Sequence, residues 1–170
     1  MSWSTVGSAV SYQIERSSGG GPFVAAGIES ESPFIEGMLP AGVTYLYRVR
    51  AIDSFGTPSL NSAFDPATTI LFTDEPLIPG VTIVKALHLL QLRDAVNAFR
   101  AAAGLGAGTY GEIVAGVTPI RASDINELRL ALAAARSALA LPPLDLTDPS
   151  LTSGMTVRRA HVQEIRNAVY

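Results

Sequence analysis

The sequence predicts an α+β protein in two segregated parts, with strands first and helices after. Three observations carry that expectation. Residues 1–71 alternate apolar and polar side chains in short runs separated by turn residues. Residues 84–170 repeat apolar residues every three or four positions. The change falls at Phe72 to Gly80, a stretch that contains Pro76 and Pro79.

Taken in order, Tyr12-Gln13-Ile14-Glu15-Arg16 reads as a strand. Ser17 to Pro22 is glycine-rich, but no helix follows it, so it reads as a hairpin turn and not as a phosphate cradle. Tyr45 to Ile52 is the second strand. Tyr45, Tyr47, Val49 and Ala51 share its buried face, while Arg48 and Arg50 point to solvent. A last strand is expected from Pro66 to Phe72. In the helical part, Leu89, Leu92, Val96, Phe99 and Ala103 form one stripe, and Ile125, Leu128, Leu132, Ala135 and Leu139 form another. Ala131 to Ala140 is rich in alanine, the strongest helix former. Gly104 and Pro142-Pro143 supply stops.

Composition removes several function classes. At 170 residues the chain suits one domain or two small ones. With 48% apolar and 16% charged residues it is too hydrophobic to stay disordered. A net charge of −3 leaves no electrostatic footprint for nucleic acid. No apolar run approaches the roughly 20 residues of a membrane span. The absence of cysteine rules out a disulfide scaffold, a thiolate zinc site and a cysteine nucleophile. Met1 to Val10 has neither the basic patch nor the apolar stretch of a signal peptide.

Leu39-Pro40-Ala41-Gly42-Val43-Thr44-Tyr45-Leu46-Tyr47-Arg48-Val49-Arg50-Ala51 resembles the E–F corner and F strand of a fibronectin type III domain. The resemblance implies a tyrosine corner, with the Tyr45 hydroxyl bonded back to the chain near Leu39. It makes Trp3 the tryptophan that ends strand B, and Tyr12 to Arg16 strand C. Such a domain has about 90–100 residues in seven strands. Residues 1–72 would therefore be an incomplete β-sandwich lacking strand A and most of strand B. One sheet would then lie nearly bare, so either this is the C-terminal piece of a longer chain or something else covers that face, and an open edge would suit a protein partner or a second copy.

The helical part, residues 73–170, is a repeat. Thr73-Asp74, Leu77, Gly80 and Thr82 recur as Thr147-Asp148, Leu151, Gly154 and Thr156. The middle copy keeps Thr109, Ile113, Gly116 and Thr118 but has Tyr110 for the aspartate. The units span about 73–108, 109–146 and 147–170. A period of roughly 36 residues marks units that cannot bury an apolar face alone, so three helices should pack on one another. The pattern resembles tandem modules found after fibronectin type III domains in large secreted bacterial proteins. That resemblance implies a cell-surface or secreted setting and a structural or adhesive role. A weaker likeness, in Ile120-Arg121-Ala122, is to S-layer homology repeats, which implies binding to cell-wall polysaccharide.

His88 and His161 occupy one repeat position, which holds Asp124 in the middle copy. A position that accepts His or Asp, with Gln91, Glu127 or Glu164 three later, fits a helix start. The first side chain would accept a backbone N–H and the second would reach back, as in a capping box. Metal binding and catalysis are the alternatives. Arg93, Arg129 and Arg166 also recur. They fit an ion pair or a carbonyl contact on the adjacent loop, with a charged ligand strip as the alternative. Asp74 and Asp148 suit Asx-turns better than calcium, which wants six to eight oxygens. No catalytic motif and no cofactor signature is present, so a non-catalytic role is expected. An enzyme would need a cleft where the two parts meet, using His88 or His161.

Overall fold

The computed structural model describes residues 1–170 and is mixed α+β. Strands β1 (Ala9–Ser18), β2 (Val24–Glu29), β3 (Thr44–Asp53) and β4 (Asp65–Thr68) precede helices α1 (Ala86–Ala102), α2 (Ala122–Ala138) and α3 (Arg159–Asn167). The strands form one antiparallel sheet in the order β2-β1-β3-β4. Only this one sheet forms, and residues 1–72 supply no second sheet to pack against it. β2 was not anticipated, because Val24-Ala25-Ala26-Gly27-Ile28-Glu29 carries no strict alternation. β4 ends at Thr68, earlier than expected.

Register explains the two faces. Ile14 lies opposite Val49 and Tyr12 opposite Ala51, while Gln13 faces Arg50 and Glu15 faces Arg48. The first set, with Phe34, Tyr45 and Tyr47, is the small core of the β part. The second set forms a polar lattice: Arg48 Nε donates to Glu15 at 2.7 Å and Arg50 Nη2 to Gln13 at 2.7 Å.

The apolar face is not bare. Residues 1–8 and 30–43 cross it without regular structure, and Met1, Trp3, Leu39 and Val43 pack against the core. Phe34 N–H donates to Met1 O, and Trp3 N–H to the Ser32 hydroxyl. Tyr12, Ile14, Tyr45, Tyr47 and Val49 are all buried. Both sheet edges are blunted. β2 has a register shift against β1 between Ile14 and Glu15, and the four-residue β4 contains Pro66.

The helices carry the larger core. Leu89, Ile125 and Val162 are equivalent in the three units and fully buried. So are Leu92, Leu128 and Ile165, and then Val96, Leu132 and Val169. Three rows of equivalent residues therefore pack into one core.

The sheet sits where the helices end. Gly20, at the β1–β2 turn with φ +71°, comes so close to α1 that a Cβ there would lie 2.9 Å from Gly104 Cα. Thr68 Oγ1 donates to Val169 O, and Tyr170 OH to Ile70 O at 2.7 Å. Ile70 and Phe72, on the β side of the expected boundary, belong to the helical core.

Candidate functional site: a ring of loop clasps

Each helical unit begins with a loop, and the polar residues that recur between units serve those loops. Chain direction reverses at Gly80, Gly116 and Gly154, which share positive φ values of 71°, 76° and 89°. The helix then starts at an extended N-cap residue, which is Lys85, Arg121 or Arg158. Three residues on, His88 Nδ1 accepts the Lys85 N–H at 3.2 Å. Asp124 Oδ2 accepts the Arg121 N–H at 2.7 Å, and His161 Nδ1 the Arg158 N–H at 3.1 Å. The helix-start chemistry expected of His88, Asp124 and His161 is therefore present, but these side chains stand at N3 and not at the N-cap. The cationic N-cap side chains have no acceptor to return the bond.

Because each imidazole accepts at Nδ1, its proton sits on Nε2. His88 Nε2 donates to Asp74 at 3.1 Å, and His161 Nε2 to Asp148 at 3.0 Å. Both rings are fully buried. Asp74 and Asp148 adopt left-handed φ values of 53° and 49°. Their carboxylates face the helix and make no Asx-turn to their own backbone, contrary to the expectation. The Asp74 carboxyl is held below the usual range first by Lys85 and then by His88. The Asp148 carboxyl is lowered chiefly by the His161 hydrogen bond.

Gln91, Glu127 and Glu164 were expected to reach the helix start and instead reach the loop. Gln91 Oε1 accepts the Thr73 N–H at 3.0 Å, Glu164 Oε1 the Thr147 N–H at 2.9 Å, and Glu127 Oε2 the Gly111 N–H at 2.9 Å.

The arginines link one unit to the next. Arg129, 5% exposed, donates to Asp148 O and Thr147 O at 2.9 Å each, and to Glu164 at 3.2 Å. Arg166, 0% exposed, donates to Asp74 O at 3.0 Å, Thr73 O at 2.9 Å and Glu75 at 2.9 Å. Its guanidinium also lies 4.7 Å from the Phe72 ring. α2 thus holds the third loop and α3 holds the first, which closes the units into a ring.

Arg93 breaks the pattern. Its target loop has Tyr110 where the others have aspartate, and the guanidinium lies 5.1 Å from that ring. Its Nη2 is buried without a hydrogen-bond partner, as is its Nε, which Arg129 and Arg166 also leave unpaired. Asn97 Oδ1 instead takes the Gly108 N–H at 2.9 Å and the Tyr110 hydroxyl at 3.2 Å. Burial raises the Tyr110 phenol. No strip of exposed arginine joins Arg93, Arg129 and Arg166, because the last two are enclosed.

In the β part, Trp3 packs on Tyr12 with ring centroids 5.3 Å apart. The Tyr45 hydroxyl makes no bond near Leu39, so the expected tyrosine corner is absent. Arg16 lies 5.3 Å from the Tyr45 ring. Two other phenols are anchored: Tyr12 accepts the Val6 N–H at 2.7 Å, and Tyr47 donates to Glu36 at 2.8 Å. Burial and then Glu36 push the Tyr47 phenol upward. Arg16 pairs with the other Glu36 oxygen.

Fold and site together define an α+β protein whose three-helix bundle is closed by buried arginine–carbonyl clasps. The chain matches no family model, no curated protein and no solved structure. No helix is long and apolar enough to cross a membrane.

Proposed function

We propose that this chain is a non-catalytic structural or interaction module of a secreted or cell-surface bacterial protein. Its β part would be one sheet of a fibronectin type III-like domain, and its helical part a terminal assembly or attachment unit. One observation carries this reading: the groups that could do chemistry are spent on architecture. His88 and His161 each bridge a backbone N–H and a carboxylate, and Arg129 and Arg166 hold loop carbonyls. The repeats would give a rigid body on which loops and exposed side chains face a partner.

Protease treatment of intact producing cells tests the setting. Loss of the chain without lysis is expected, and protection until lysis contradicts the reading. Light scattering on the purified chain tests the form of assembly. An oligomer supports a fibre subunit, whereas a stable monomer confines the role to contacts with other proteins. A wall-polysaccharide site would have to lie outside Arg129 and Arg166, which are already occupied.

A further inference from the structure

A groove of about 680 Å³ lies beside the starts of the helices. Val84, Ile120 and Val157, equivalent in the three units, line it, with Ala122 and Asn126 of α2 on one wall and Leu151 and Ser153 to Thr156 on the other. That volume is within the usual range for a ligand cleft.

The repeat shows what a filled groove looks like. At the junction of α3 with the first loop, Arg159 and Gln163 stand where α2 has Ala122 and Asn126. Gln163 Oε1 accepts the Leu77 N–H at 3.3 Å, and Arg159 Nη1 donates to Leu77 O at 3.2 Å. At the α2 junction, Asn126 Nδ2 donates to Leu151 O at 2.8 Å. It is one methylene shorter than Gln163, and Ala122 adds nothing. The Leu151 N–H is left without a hydrogen bond, in a residue 4% exposed.

The charge beside this groove is also uncompensated. Lys85 pairs with Asp74 at 3.1 Å and Arg158 with Asp148 at 3.2 Å. Tyr110 replaces that aspartate in the middle unit, and the Arg121 side chain makes no ion pair or hydrogen bond. Val81, Val117 and Met155, at one repeat position, are 73%, 77% and 37% exposed.

We propose that the groove between α2 and the third loop binds an acidic peptide segment of a partner protein. A glutamate side chain from that segment accepts the Leu151 N–H, as Gln163 does for Leu77, and pairs with Arg121. A neighbouring apolar side chain covers Val84, Ile120 and Val157. This deepens the interaction-module reading and rests on it. Its failure would leave the surface-exposure and light-scattering outcomes untouched.

The test is amide NMR of the full chain titrated with acetyl-Gly-Leu-Glu-Leu-Gly-amide and with its lysine counterpart. Saturable shifts at Leu151 and Ser153 to Val157 are expected with the glutamate peptide alone. Arg121→Gln should weaken binding about tenfold. The double change Ala122→Arg, Asn126→Gln copies α3 into α2 and should abolish binding, with a cooperative melt and dispersed amide shifts showing that the variant is folded. The proposal is overturned by no saturable shift, by equal shifts with the lysine peptide, or by undiminished binding to the filled variant. Shifts at Val81, Val117 and Met155 with phosphatidylglycerol vesicles, and none with the peptide, would also overturn it in favour of a membrane surface.

Discussion

The junctions held by Arg129 and Arg166 differ from the one beside Arg93, though the three arginines share a repeat position. The first two bond the carbonyls of a Thr-Asp pair whose aspartate is left-handed and tied to a buried histidine. Nε is buried unpaired in all three, but the third faces Tyr110, and its Nη2, which donates to a loop carbonyl in the other two, is unpaired as well. An arginine clasp therefore needs a loop already shaped to receive it. The histidine, the aspartate and the loop carbonyls work as one unit, and losing the aspartate disables the arginine from the neighbouring helix.

Several changes would break or sharpen that contrast. Arg166→Met should have the largest effect, a loss of about 3 kcal/mol in denaturant unfolding. It strands the Thr73 and Asp74 carbonyls, leaves Glu75 without its partner and opens the ring at the sheet side. Arg129→Met should cost about 2 kcal/mol, because it strands the Thr147 and Asp148 carbonyls within the bundle.

His161→Ala should cost about 1–2 kcal/mol, since it unpairs the Arg158 N–H and releases Asp148. His161→Asn should recover part of the loss, because a short acceptor at N3 does the same work in Asp124. If both variants lose the same stability, the cap is not what the ring contributes.

Acid should act through the same residues. The carboxyls of Asp74 and Asp148 are lowered in the folded state from an ordinary value of 3.8. Their contribution is complete above that value and is lost as pH falls through the folded values. Thermal melts below about pH 4 should therefore fall less steeply for the Asp74→Asn, Asp148→Asn variant than for the parent.

Much of the helical part was legible in the sequence, because repetition exposes it. Leu89, Ile125 and Val162 recur with the same neighbours, and a position holding His, Asp and His announces an acceptor at a helix start. What spacing does not convey is direction. Whether His88 caps from the N-cap or from N3 depends on where Lys85 turns extended, and Lys85 looks like any surface lysine. Ring closure was hidden for the same reason: Arg166 reaches a loop at the opposite end of the repeat array, and no local pattern encodes that contact. In the β part the apolar face was legible at Tyr12, Ile14, Tyr45, Tyr47 and Val49. Its cover was not, because residues 1–8 and 30–43 have no period and are placed only by the core they close.

The account rests on the clasp being a property of the loop and not of the arginine alone. Unfolding free energies of Arg93→Met and Arg166→Met, measured side by side, test that most directly. Arg93→Met should be neutral or slightly stabilising, because it removes buried, unpaired nitrogens, while Arg166→Met loses about 3 kcal/mol. Equal losses at the two positions would contradict it.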